Sequence, residues 1–179
     1  MTKLGEKLGH AAGQEALQQF ADFSATLYYF MAKTVIDRFG GEGREAVKEA
    51  VHSFGRHRGR SVRERVLRAG EKPLMENEYK YHDLPIGTAI WEAESERQGQ
   101  AQVTKVLKCP FGCLWQAMEK EGHEDAEKIG RLYCDVDYAI WQGYNDRIGF
   151  ELESCIFDGD PHCRMRYDLS REDSHDGPK

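Results

Sequence analysis

The sequence predicts an α+β domain in which N-terminal helices and two β-hairpins, forming an antiparallel sheet of about four strands, pack against one another. Three observations predict it. Apolar residues in the N-terminal part recur at three- and four-residue spacings; two later pairs of short segments alternate instead; and a further pair of helical patterns lies between them.

From about Gly13 to Phe39, Ala16, Leu17, Phe20, Phe23, Leu27, Phe30, Met31 and Val35 mark an amphipathic helix, which Gly40-Gly41 ends. A second helix runs from about Glu42 to Ala69 on Ala46, Val47, Ala50, Val51, Phe54, Val62, Val66 and Leu67. Gly55 and Gly59 interrupt it, which predicts a kink or a close helix contact. Gly70 to Gly87, with Pro73 and Pro85, reads as a long connection containing a short strand near Tyr79 to Tyr81. Ala89 to Glu96 and Ala101 to Leu107 form the first hairpin around Arg97-Gln98-Gly99-Gln100.

Pro110 suits the first position of a helix carrying Leu114, Trp115 and Met118, closed by Gly122. The next helix, about His123 to Gln142, has Ile129, Leu132, Tyr133, Val136 and Ile140 along one stripe before Gly143. Ile148, Phe150 and Leu152 then alternate, as do Cys163, Met165 and Tyr167. Arg147 to Phe157 and His162 to Leu169 therefore pair around Asp158-Gly159-Asp160-Pro161. Residues 1–169 are expected to form a single domain, and residues 170–179 a disordered tail.

A chain of 179 residues, 40% hydrophobic and 11% aromatic, can bury one substantial core. The net charge of −6 and a pI near 5.7 argue against nucleic acid and for a small-molecule substrate or ligand. The first ten residues lack the apolar region of a secretory signal, and the longest apolar stretch, around Ala25 to Ala32, is far short of a membrane span. The expectation is a cytoplasmic protein with no membrane partner. Five cysteines without a signal fit a reducing compartment, where thiols act as ligands, nucleophiles or small core residues. The long apolar first helix is a candidate homodimer surface.

The helix from His123 carries the chemistry-bearing cluster. Cys134, Asp137, Tyr138 and Trp141 stand at i, i+3, i+4 and i+7, roughly 140° from the core stripe at 100° per residue. A carboxylate beside a thiol can orient water or bind a metal, and an aromatic wall can hold a planar ligand. Helix geometry equally allows a packed Cys134, core Tyr138 and Trp141, and a structural hydrogen bond at Asp137. Cys109 precedes Pro110 at a helix N-cap, where free N–H groups stabilise a thiolate, and is the best candidate nucleophile by sequence. A divalent metal such as zinc has Cys109, Cys113, Cys134 and Cys163 as candidate ligands, although C-x3-C is a weak zinc signal. Cys113 and Cys155 otherwise read as inert packing residues. The run Gly55 to Arg68 holds six arginines, either anchors for a carboxylate or phosphate or a solvated helix face.

Taken in order, these segments resemble the L-2-amino-thiazoline-4-carboxylic acid hydrolase family. The resemblance rests on Phe39-Gly-Gly-Glu-Gly-Arg-Glu-Ala46, Phe54-Gly-Arg-His-Arg-Gly59, Cys109-Pro110 before a Trp-bearing helix, Leu132-Tyr-Cys-Asp-Val-Asp137, and Glu153 through Gly159-Asp-Pro-His-Cys163. It implies opening of a cyclic isothiourea, in which water adds at the carbon between nitrogen and sulfur and the C–S bond breaks to give N-carbamoyl-cysteine. Two mechanisms are open: Cys109 or Cys134 adds to that carbon first, or Asp137 activates water while the thiols bind a metal or line the pocket. Tyr138 or Arg131 is a candidate for the substrate carboxylate, with Trp141 and Cys163 beside them. The ending through Gly159-Asp-Pro-x-Cys163 is also similar to vinyl-reductase-like sensor domains. That similarity implies the alternative of a non-catalytic small-molecule- or metal-binding domain.

Overall fold

The computed structural model describes residues 3–83 and 90–173, with side chains from residue 13 onward. The first element, α1 (Lys3–Arg68), is broken at Gly40, whose φ of 59° and ψ of −128° are accessible to glycine alone. Its two limbs fold back on each other: Gly43 lies against the carbonyl of Val35, and a Cβ there would stand 3.1 Å from the Ile36 Cα. The Gly40-Gly41 signal therefore ends the first limb, as expected, and the second limb returns along it as a helical hairpin. No break occurs at Gly55 or Gly59.

Next comes α2 (Met75–Tyr81), a short helix where a strand near Tyr79 to Tyr81 was expected. Two turns are too few to display helical periodicity, and alternating Tyr79 and Tyr81 mimic a strand. The rest follows as β1 (Glu92–Gln98), β2 (Ala101–Lys108), α3 (Pro110–Lys120), α4 (Ala126–Tyr133), α5 (Asp135–Tyr144), β3 (Gly149–Ser154) and β4 (Cys163–Asp168). The helix expected over His123 to Gln142 is thus two, meeting at Cys134. The stretch 84–89, including the expected first strand residue Ala89, lies outside the described residues, as do residues 174–179 of the expected tail. Residues 170–173 are tied down: Asn145 donates to the Glu172 carbonyl at 3.0 Å, and Glu172 accepts from the Met75 N–H at 3.1 Å.

The four strands form one antiparallel sheet in the order β1-β2-β4-β3, so the two hairpins join through β2 and β4. Register partners share a face, which sets Thr104 with Met165 and Leu152, Gln102 with Tyr167 and Phe150, and Val106 with Cys163. This face meets the helices: Tyr167 packs on Trp141 of α5, and Val106 and Cys163 pack with Cys109 and Cys134. The fold is α+β.

On the other side of the helical layer, Ala21, Ala25, Tyr29 and Ala32 of α1 pack on Trp115, Met118, Ile129 and Leu132. Tyr28 donates to the Ile129 carbonyl at 3.1 Å and Trp115 donates to the Ala25 carbonyl at 3.1 Å, which fixes α3 and α4 against the first limb. Among the described residues, no helix is long and apolar enough to cross a membrane.

Candidate functional site

Glycine brings the two helices that carry the site together. A Cβ on Gly55 would stand 2.7 Å from the Val136 carbonyl, and one on Gly59 would meet the Ile140 carbonyl and stand 2.7 Å from the Tyr144 nitrogen. From α5, Gly143 abuts the Arg56 carbonyl in turn. The second limb of α1 and α5 can pack backbone to backbone only because these positions lack side chains. Arg58, one residue before Gly59, is thereby carried inward, to 9% exposure.

Asp137, in the first turn of α5, is the centre of the arrangement. It keeps partial solvent exposure, yet burial is the largest influence on its carboxyl and pushes it up to about 6. Together these place it in a shallow recess, its carboxyl largely enclosed by protein. Arg58 and His82 favour its charged form, while Glu78 and Asp135 oppose it. Its charge is felt in turn by Cys109, Cys134, Tyr79, Tyr133 and Tyr167.

The groups around it are ordered. Arg58 donates to both oxygens of Asp83, at 2.7 Å each, and its guanidinium lies 5.6 Å from the Phe54 ring centre. His82 Nδ1 is 2.7 Å from Oε1 of the buried Glu78. Burial works against the His82 cation, but the Glu78 bond and charge prevail and raise its pKa. Burial pushes Tyr133 and Tyr79 up to about 12, so both are protonated donors near neutral pH. Tyr79 of α2 neighbours Tyr167 and Thr104 of the sheet, while it stays 52% exposed.

Four thiols complete the wall: Cys109, Cys134, Cys155 and Cys163 share one cluster. Cys109 is the N-cap of α3 as expected, with Sγ accepting from the Gly112 N–H at 3.4 Å. The thiolate expected there does not follow. Burial outweighs the helix N-terminus and raises Cys109 to about 11, with Asp137 adding to the effect. Cys134, whose thiol donates to the Gly130 carbonyl at 3.7 Å, is raised well above the ordinary range by its neighbour Cys155 and by burial. Cys155, only 1% exposed, accepts from the Cys163 thiol at 3.9 Å, and its thiol neighbours hold it below the ordinary thiol range. From outside, a crevice of about 220 Å³ lined by Cys109, Cys113, Gln116, Ile156, Asp160 and Cys163 leads to these thiols.

The structure thus brings Cys109, Cys134, Asp137 and Cys163 together, and separates other residues grouped with them. Tyr138 is 43% exposed and faces His52, because Val136, Ala139 and Ile140 take the interior of α5. Trp141 is buried between Tyr144 and Tyr167, a core residue behind the recess. Arg131 donates to Asp135 at 3.1 Å and to Asp158 at 3.0 Å, so both carboxylates already compensate it. Cys113 is exposed rather than packed, while Cys155 is buried. Among the described residues, no group of three or more His, Cys, Asp or Glu side chains is placed to hold a metal ion.

Arg58, Glu78, Tyr79, His82 and Asp83 were not singled out from sequence. The arginine run held one of them, but nothing local distinguishes Arg58 from Arg60, which is exposed. Arg63 and Arg65 brace carbonyls instead, those of Tyr144 at 2.9 Å and Tyr81 at 3.0 Å. The Glu78–His82 pair has i,i+4 spacing, a signal hidden by reading that segment as a loop.

The family model described as L-2-amino-thiazoline-4-carboxylic acid hydrolase matches residues 5–167. The search of curated proteins returned no match.

Proposed function

Because the chain belongs to the L-2-amino-thiazoline-4-carboxylic acid hydrolase family, we propose that it opens a small cyclic isothiourea of the thiazoline type, with Asp137 as the base that activates water. The observation that carries this reading is the Asp137 carboxyl, recessed yet still partly exposed to solvent, and pushed up to about 6. Such a group is largely ionised at neutral pH, yet is a stronger base than an ordinary carboxylate, the balance that general-base catalysis favours.

In the proposed reaction, Asp137 takes a proton from water as its oxygen bonds to the ring carbon between nitrogen and sulfur; the C=N electron pair goes to the ring nitrogen, which takes that proton from Asp137. The C–S bond then breaks, its electron pair going to sulfur, as the proton left on the added hydroxyl passes through Asp137 to that sulfur. The carbon becomes a carbonyl and the product is N-carbamoyl-cysteine. Cys109 and Cys134, held protonated, line the pocket as polarisable walls rather than nucleophiles. Arg58 supplies the positive charge near the substrate, and Tyr79 and Tyr133 supply neutral donors.

One observation favours the second reading, a non-catalytic small-molecule-binding domain: the thiols of Cys109, Cys134 and Cys163 are already engaged, with the Gly112 N–H, the Gly130 carbonyl and Cys155 respectively. Free thiol released from L-2-amino-thiazoline-4-carboxylate, measured beside calorimetric binding of the same compound, separates the two. Turnover supports the hydrolase; saturable binding without turnover supports the binding domain.

A further inference from the structure

The first limb of α1 has two long apolar faces, and the fold uses one of them. Ala21, Ala25, Tyr29 and Ala32 are buried against α3 and α4. On the outer side, Phe20, Phe23, Leu27, Phe30 and Met31 are 49–67% exposed. Ala16, Phe20, Phe23, Leu27, Phe30 and Thr34 follow spacings of four, three, four, three and four along the chain. That is the a/d repeat of a coiled coil, narrower than the stripe a globular core requires. A seam with this repeat is shaped to receive another helix.

We propose that the helix it receives is the same limb of a second copy, packed antiparallel about a two-fold axis at Leu27. The seam is self-complementary in that orientation. Phe23 faces Met31 of the second copy, Phe20 faces its Thr34, and Phe30 faces its Ser24, so each phenylalanine has a different and smaller residue opposite. A parallel arrangement would set each phenylalanine against itself and the small residues against each other. Of the residues flanking the seam, Gln19, Ser24, Thr26 and Met31 are uncharged and Lys33 is paired with Asp37 of its own helix at 2.6 Å, so no like charges meet. At half exposure the five large side chains leave on the order of 500 Å² per copy, about 1,000 Å² for the pair, the lower bound of a specific interface.

Sedimentation of the full chain tests this, with far-UV circular dichroism as the folding control. The wild type is expected to sediment as a dimer, and the Phe23→Glu/Leu27→Glu variant as a monomer of unchanged helicity. In a Cys113→Ser background, Leu27→Cys is expected to form an intermolecular disulfide under mild oxidation and Phe20→Cys is not. A monomeric wild type, a dimer that survives Phe23→Glu/Leu27→Glu, or equal cross-linking at both cysteine positions would overturn the proposal.

Discussion

The carboxylate of Asp137 and the guanidinium of Arg58 act on each other across the contact between α5 and the second limb of α1, although Arg58 already grips Asp83 with two 2.7 Å bonds. Arg58 therefore lowers the cost of ionising Asp137 without pairing with it outright. Under the proposed function, that leaves the carboxylate to meet the water and the substrate.

That arrangement places function and stability in opposition at Asp137. A raised carboxyl pKa means that the folded state holds the proton more tightly than the unfolded state. The proton-linked stability is complete below the ordinary carboxyl pKa and is lost as pH rises through about 6. Asp137→Asn mimics the protonated form, and is expected to be more stable than wild type by about 2 kcal/mol at pH 7 and by almost nothing at pH 4. Thermal melts at the two pH values check this; a variant less stable than wild type at pH 7 would assign Asp137 a structural bond instead.

His82 should show the same pH direction for a different reason. Its folded pKa is raised by Glu78, so the pair's contribution is present below the ordinary imidazole pKa and disappears as pH rises through the higher folded value. His82→Gln is expected to cost about 1–2 kcal/mol at pH 6 and less at pH 9, read from urea denaturation. An equal cost at both pH values would show that packing, rather than charge, is what His82 contributes.

Gly59→Ala should destabilise by about 1–3 kcal/mol, because its methyl meets the Ile140 carbonyl and the helices must separate. Gly70, with open space around its Cβ position but a φ of 77°, offers a control in which the strain is local. Activity is expected to fall with Gly59→Ala and to survive Gly70→Ala, since only the first moves Arg58 relative to Asp137.

Cys109→Ala should keep turnover within about tenfold, since a thiol raised to about 11 is almost entirely protonated at neutral pH. Labelling by iodoacetamide provides an independent measure: Cys113, exposed on α3, should react well before Cys109.

Much of the frame was legible because its signals are local. Gly40-Gly41 ends the first limb, Pro110 opens α3, and the alternation around Met165 reports a half-buried strand. The family resemblance also picked out Cys109, Cys134 and Cys163, which pack in one cluster, and Asp137, whose charge acts on the first two. What escaped depends on distant partners. Burial reverses the effect of the helix N-terminus on Cys109, the packing of Val136 and Ile140 turns Tyr138 outward, and α2 is too short to announce the Glu78–His82 pair. Arg58 differs from its neighbouring arginines only through the glycines that bring α5 against it.

The most direct measurement compares Asp137→Asn with Cys109→Ala and Cys134→Ala in turnover of L-2-amino-thiazoline-4-carboxylate, followed as released thiol. The account predicts a loss of about 10²–10⁴ in kcat/KM for Asp137→Asn, with both cysteine variants within about tenfold of wild type. Abolished turnover in either folded cysteine variant, with Asp137→Asn near wild type, would contradict it and make the thiol the nucleophile.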